Sequence, residues 1–292
     1  MEYLRKKRNI IIIIGAAVLS VVRMLVLLLG VDPSSGYHTS QFWAALQIVI
    51  VAAILFVAVV PSLRDKGQVP FRDCREFCTV AGLVAVAFSL HTVMMFVELW
   101  QNLSQTIFFY RVQVPWLSVI KIVLSGVSVV FFFLLWRNGT RFFKISHVAL
   151  ILGPIGLYVI GLVEDFMTIT MNPSVDSYAV HLLSTGITLL FLSCFGRVLI
   201  EGTIKGHWFV MCAAASLLLA LSAVAALVFG LLPAPVYRSM ISTSTYVCDL
   251  AMMGLSLCCA FMVESTETAA RRPRPRAKTA LSLNYSNYVP KH

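Results

Sequence analysis

Glu164 and Asp165 stand side by side near the end of a long apolar stretch, GLVEDFMTITMNP, Gly161 to Pro173. Other ionisable residues occupy comparable places. Arg23, His91, Glu98, Lys121, His181 and Asp249 fall inside or at the edge of runs otherwise rich in Val, Leu, Ile, Phe and Ala. Carboxylates, bases and a histidine held among apolar residues can form ion pairs, bridge helices by hydrogen bonds, or line a polar cavity. Depth decides between these uses, because a charge near the bilayer centre costs at least ~2.5–3.5 kcal/mol. Catalytic signatures are absent: the sequence has no H-E-x-x-H, no G-x-S-x-G, no Walker A and no dinucleotide glycine fingerprint. The six histidines (His38, His91, His147, His181, His207 and His292) include no pair at zinc-ligand spacing. No metal, no cofactor and no enzymatic activity are therefore expected.

The elements that hold these residues are membrane spans. The chain has 292 residues, 59% hydrophobic and 12% charged, with mean hydropathy +0.86. A soluble domain carries about twice that charged fraction. Apolar runs of ~20 residues recur, each long enough to cross a bilayer as a helix. Eight are predicted: Asn9–Gly30, Gln41–Val60, Cys78–Trp100, Leu117–Trp136, His147–Thr168, Val180–Leu199, Phe209–Leu231 and Thr245–Val263. All are read as helices, because a backbone in lipid must satisfy its own hydrogen bonds. The fold class is thus an all-α membrane protein of eight transmembrane helices.

Orientation follows from the basic residues. With the N-terminus inside, 19 of the 23 Lys and Arg fall in cytoplasmic segments. The outer loops hold only Arg111 and Arg238, and Arg23 and Lys121 lie within spans. Both termini are therefore expected in the cytoplasm and the chain in the plasma membrane. The net charge of +10 reports topology and attraction to anionic lipid, not nucleic acid. The opening MEYLRKKRNIIIIIGAAVLSVV mimics a signal peptide, but its apolar run is too long and lacks an A-x-A site, so it reads as an uncleaved first span. None of the seven cysteines lies in an outer loop, which speaks against structural disulfides. Trp43, Trp100 and Trp116 fall at outer span ends, and Trp136 and Trp208 at inner ends, as interfacial anchors do.

On this map the charges gather in the outer half. Glu164 and Asp165 lie close to the outer end of span five, and Glu98 close to that of span three. Lys121 and Asp249 are a turn into spans entered from outside, and His181 begins span six. Arg23 is seven residues below Gly30, which is ~10 Å at 1.5 Å per residue. His91 is nearer mid-depth. The arrangement predicts a polar cavity open to the outside and closed below by an apolar plug, lined by Arg23, His91, Glu98, Lys121, Glu164, Asp165 and Asp249. Arg23 is expected to pair with Glu164, or else with Asp249 or Glu98. Near the boundary, Glu98, Asp165 and His181 can also be simply hydrated.

Two outer loops share a pattern. VDPSSGY, Val31 to Tyr37, and MNPSVDSY, Met171 to Tyr178, both read Asx-Pro-Ser and then a Tyr. FYRV around Tyr110 and Arg111 matches VYRS around Tyr237 and Arg238. The order is the same twice, which suggests two parallel four-helix repeats, 1–145 and 146–265, related by an axis along the membrane normal. Tyr37, Tyr110, Arg111, Tyr178, Tyr237 and Arg238 would form the outer rim. Turn chemistry offers a plainer origin for Asx-Pro-Ser. The Arg-bearing first span followed by Asp-Pro-Ser-Ser-Gly, Asp32 to Gly36, resembles a group of uncharacterised multi-spanning proteins of Clostridia-like Gram-positive bacteria. That resemblance implies no activity, cofactor or partner.

Gly153-Pro154-x-Gly156 predicts a kink early in span five. Residues 266–292 read as a disordered polybasic tail, with five basic residues from Arg271 to Lys278. A tail of this kind is held at anionic headgroups at ~1 kcal/mol per basic residue. Any signal must pass through an unknown cytoplasmic or membrane partner. Two functions fit: an outward-facing binding protein, as sensor or accessory subunit, for a small polar molecule, and a secondary transporter. The transporter needs a route through the inner half, which Ser125, Ser128 and Ser193 could supply. A structural or assembly factor without a ligand is the third reading.

Overall fold

The computed structural model describes residues 41–59, 68–70, 75–107, 116–139, 145–171, 176–201, 203–205 and 243–271, with isolated positions between 14 and 40. Within these the chain is helical apart from one short ladder. The helices are α1 (Gln41–Val59), α2 (Arg75–Ile107), α3 (Trp116–Asn138), α4 (Ile145–Val148), α5 (Leu152–Met171), α6 (Asp176–Glu201) and α7 (Thr243–Arg271). Strands β1 (Gln68–Pro70) and β2 (Thr203–Lys205) pair antiparallel, Val69 opposite Ile204. The ladder fixes the approach to α2 beside the exit from α6. Four helical segments are long and apolar enough to cross a membrane: Arg75–Ser104, Trp116–Asn138, Ala149–Met167 and His181–Glu201. The predicted first span and Phe209–Leu231 lie largely or wholly outside the described residues.

The helix ends follow local chemistry, and several differ from the sequence reading. Glu76 sits in the first turn of α2, where an acid favours the positive end of the helix dipole. Span three was expected to stop at Trp100, yet α2 continues to Ile107. Gln101, Asn102 and Ser104 are polar but contain no helix breaker, and loss of hydropathy does not end a helix. Gly139 closes α3 with a positive φ of 64°, its N–H donating to Leu135 O at 2.9 Å. That is the left-handed cap a glycine permits. Residues 266–271, assigned to the tail, are the end of α7. Ser265 to Arg271 has no Gly or Pro, and Pro273 marks the stop.

A kink was expected at Gly153-Pro154, and what the structure shows beside it is a change of helix type. A 3-10 turn, Ala149–Ile151, precedes α5. Pro154 has no N–H to offer the carbonyl four residues back, and a tightened turn is the ordinary accommodation. The stretch also packs closely. A Cβ on Gly153 would stand 2.7 Å from Val127 Cγ1 and 3.0 Å from the Ser128 backbone nitrogen. Small residues that let backbones approach are a principal means of holding helices together in lipid.

Neighbouring helices run in the order α7, α2, α3, α5, α6. Beneath the charged level their shared interior is aromatic. Phe77, Phe88, Phe131, Phe132, Phe191 and Phe195 are fully buried. Phe88 stacks on Phe132 at 5.4 Å, Phe132 meets Phe131 edge-on at 5.0 Å, and Phe191 stacks on Phe195 at 6.0 Å. Leu135, Leu192 and Leu255 fill the space between. The outer surface of the bundle is apolar as well: Leu83, Val86, Leu90, Val123 and Ile200 are exposed. A bundle apolar on both inside and outside is what lipid requires.

Candidate functional site

Above the phenylalanines the five helices open into a cavity of about 620 Å3. It lies between the C-terminal halves of α2 and α5 and the N-terminal parts of α3, α6 and α7. One face of α2 supplies Phe88, His91, Met95 and Glu98, spaced three and four residues apart as a helix stripe requires. Leu117, Ser118 and Lys121 come from α3, and Leu157, Tyr158, Glu164 and Asp165 from α5. His181 and Thr185 enter from α6, Thr245 and Cys248 from α7.

Polar side chains tie these helices together in a closed ring at the level of the cavity. Between α2 and α3, Thr92 Oγ1 and Ser125 Oγ are 2.7 Å apart. Lys121 Nζ on α3 pairs with Glu164 Oε2 on α5 at 2.6 Å. Asp165 Oδ2, the next residue of α5, meets His181 Nδ1 on α6 at 2.6 Å. The other ring nitrogen of His181 lies 3.4 Å from Asp249 Oδ2 on α7. Asp249 Oδ1 accepts a hydrogen bond from Tyr158 on α5 at 3.0 Å. Finally α7 returns to α2 through Ser244 Oγ and His91 Nδ1, 2.9 Å apart. Because α6 and α7 stand at opposite ends of the sequence of neighbours, the His181–Asp249 contact is what closes the ring.

Asp165 and Asp249 are buried and His181 nearly so, with side-chain exposures of 12%, 7% and 12%. Charge there is tolerable only because each group faces a complementary one. The Lys121–Glu164 pair is more open, at 25% and 37%. Glu98 differs from all of these. It lines the cavity, is exposed, and among the described residues has no hydrogen bond or ion pair.

Six of the seven residues expected in the polar cluster meet here. His91, Glu98, Lys121, Glu164 and Asp165 line the cavity, and Asp249 stands directly behind it. Adjacent on α5, Glu164 and Asp165 turn to different partners, as a rotation of about 100° per residue dictates. The seventh, Arg23, lies outside the described residues, so the expected Arg23–Glu164 pair does as well. Of the outer rim, Tyr37, Tyr110, Arg111, Tyr237 and Arg238 lie outside them too. Tyr178 belongs to the first turns of α6.

His181 corrects the sequence reading. Placed at the very start of span six, it was open to being merely hydrated. Instead α6 begins at Asp176, more than a turn earlier, and carries His181 down between two carboxylates. Likewise Asp165 is buried, not hydrated at the surface. Tyr158, Ser244 and the Thr92–Ser125 pair were not anticipated. Ser193, suggested as part of a polar route, is exposed and among the described residues bonds its own helix, to Leu189 O. Among the described residues no three His, Cys, Asp or Glu side chains converge as metal ligands do. No family model, curated protein or solved structure matches the chain.

Proposed function

We propose that this is an integral plasma-membrane protein whose outer half holds a polar cavity for a small polar solute, acting as a sensor or accessory subunit. The observation that carries this is the closed polar ring around a 620 Å3 cavity, floored by fully buried phenylalanines. Ligand sites of this size, apolar-walled with a few convergent polar groups, are the usual form of a small-molecule pocket. The outward direction is supported by charge. Arg75, Arg137, Arg197 and Lys205 stand at the end of the bundle away from the cavity, and basic residues favour the cytoplasmic side.

The eight-span count and cytoplasmic termini belong to the same proposal. Both α6 and α7 begin at the cavity end, while Lys205 pairs with Gln68 at the other. A crossing by the apolar run Phe209–Leu231 would join them and bring the total to eight. On this scheme the repeat is two parallel four-helix halves. The basic tail rests on anionic lipid, and a cytoplasmic or membrane partner receives any signal.

Secondary transport is the second reading, favoured by buried hydroxyls below the cavity. Ser128, Thr188 and Ser256 are all less than 10% exposed. For solute to pass, the stacked Phe88 and Phe132 must separate, and a sensor needs no such movement.

The test screens detergent-solubilised protein against amines, amino acids, organic acids and sugars by thermal shift. Stabilising solutes are then offered to proteoliposomes. A sensor gives a solute that raises the melting temperature and is not accumulated. Accumulation would move the protein to the transporter class. Stabilisation by none of them would leave an assembly factor without a ligand.

A further inference from the structure

Among the described residues, the charges around the cavity do not balance. Four carboxylates, Glu98, Glu164, Asp165 and Asp249, face one lysine and two histidines. With the carboxylates ionised, the balance is negative whether the histidines are both neutral or both protonated. The lysine is already committed to Glu164 at 2.6 Å. His181 lies between two aspartates and can offset only one of them. Glu98 faces the cavity with no counter-ion among the described residues.

A second observation concerns the rest of the wall. Met95, Leu99, Leu117 and Leu157 line the same cavity as Glu98 and Lys121. They offer an apolar surface that a bare metal ion would not use. An anion would have to draw Lys121 from Glu164 and approach Glu98 unshielded, and a like charge brought into a site of low polarity is disfavoured. A sugar would leave Glu98 without a counter-charge and set hydroxyls against Met95, Leu99, Leu117 and Leu157. Resting on the reading of the cavity as a solute site, we infer that its ligand is an organic cation, an ammonium head set against Glu98 with an apolar body on Met95, Leu99, Leu117 and Leu157.

The head then donates a charge-assisted hydrogen bond to the Glu98 carboxylate, about twice as strong as a neutral one. Removing Glu98 should cost the cation its advantage and leave a neutral molecule of the same shape unaffected. The substitution Glu98→Gln keeps the side-chain volume and disturbs no partner among the described residues, so it is expected to fold.

Three indole compounds of similar body separate charge from shape: tryptamine (cation), tryptophol (neutral) and indole-3-acetate (anion). Their affinities for the full-length protein in nanodiscs are measured by calorimetry, with and without Glu98→Gln. Expected is a preference for tryptamine over both others of at least about tenfold, the scale of one hydrogen bond to a charged group. Glu98→Gln should abolish most of that preference, and thermal unfolding of the variant should match the parent. Equal or tighter binding of tryptophol or indole-3-acetate would overturn the cation assignment while leaving the cavity a solute site. A tryptamine preference that survives Glu98→Gln would overturn the role of Glu98 and the assignment with it. Failure of all three to bind would remove the cavity as a site and the cation with it.

Discussion

His181→Ala lowers the unfolding free energy by about 3–5 kcal/mol, the usual loss when one member of a buried charged cluster is removed. The imidazole stands between Asp165 Oδ2 at 2.6 Å and Asp249 Oδ2 at 3.4 Å. Without it two buried carboxylates remain, and α6 loses its link to α7. Removing Asp165 as well should recover part of the loss, since the acid is then no longer stranded. Coupled neighbours depart from additivity by ~0.5–3 kcal/mol, whereas independent sites do not. Steric-trapping measurements on His181→Ala, Asp165→Ala and the double variant give the coupling directly. A double variant whose loss is the plain sum of the single losses would show that the two groups do not hold each other.

The floor should be almost as sensitive. Phe132→Ala is expected to cost about 3–5 kcal/mol. Phe132 is fully buried, stacked on Phe88 and edge-on to Phe131. In lipid the aqueous driving force for burial is missing, so the loss is one of packing between helices. Phe132→Leu, which fills much of the volume, should cost less than half as much. A loss under about 1 kcal/mol for Phe132→Ala would mean that the aromatic layer is loosely packed and no barrier.

Much of this arrangement was legible beforehand, for definite reasons. Charge in an apolar run is expensive, so His91, Lys121, Glu164 and Asp249 had to converge on water or on one another. The structure brings all four to one cavity. Their pairing was harder to read. Lys121 was not read as a partner of Glu164, which it reaches at 2.6 Å from the neighbouring helix α3; the expected Arg23–Glu164 pair lies outside the described residues. Adjacency of helices, which no single span encodes, made that contact.

His181 carried a signal that was passed over. It is 16 residues after Asp165, on the other side of Pro173. In an antiparallel hairpin turning near Pro173 the two stand at the same height. Reading helix ends from hydropathy placed His181 at the boundary, because Asp176 to Tyr178 are polar or amphipathic and still helical. The same error cut α2 short at Trp100 and began the tail inside α7. Hydropathy marks the edge of the lipid, while Gly, Pro and capping groups mark the end of the helix. Tyr158 could have been suspected as well, since a tyrosine away from the interface needs an acceptor, and Asp249 is that acceptor.

A cysteine ladder down α2 tests most directly whether the outer half is an open cavity above a closed floor. Met95, His91, Phe88, Val84 and Ala81 follow one another on a single face of the helix, and Val84 and Ala81 are fully buried. The seven native cysteines are first replaced, since Cys248 itself lines the cavity. Intact cells are then treated with a membrane-impermeant thiol reagent. Met95→Cys should react from outside, and prior occupation of the cavity should slow it, while Val84→Cys and Ala81→Cys should not react. A silent Met95→Cys beside a reactive Val84→Cys would contradict both the cavity and its floor.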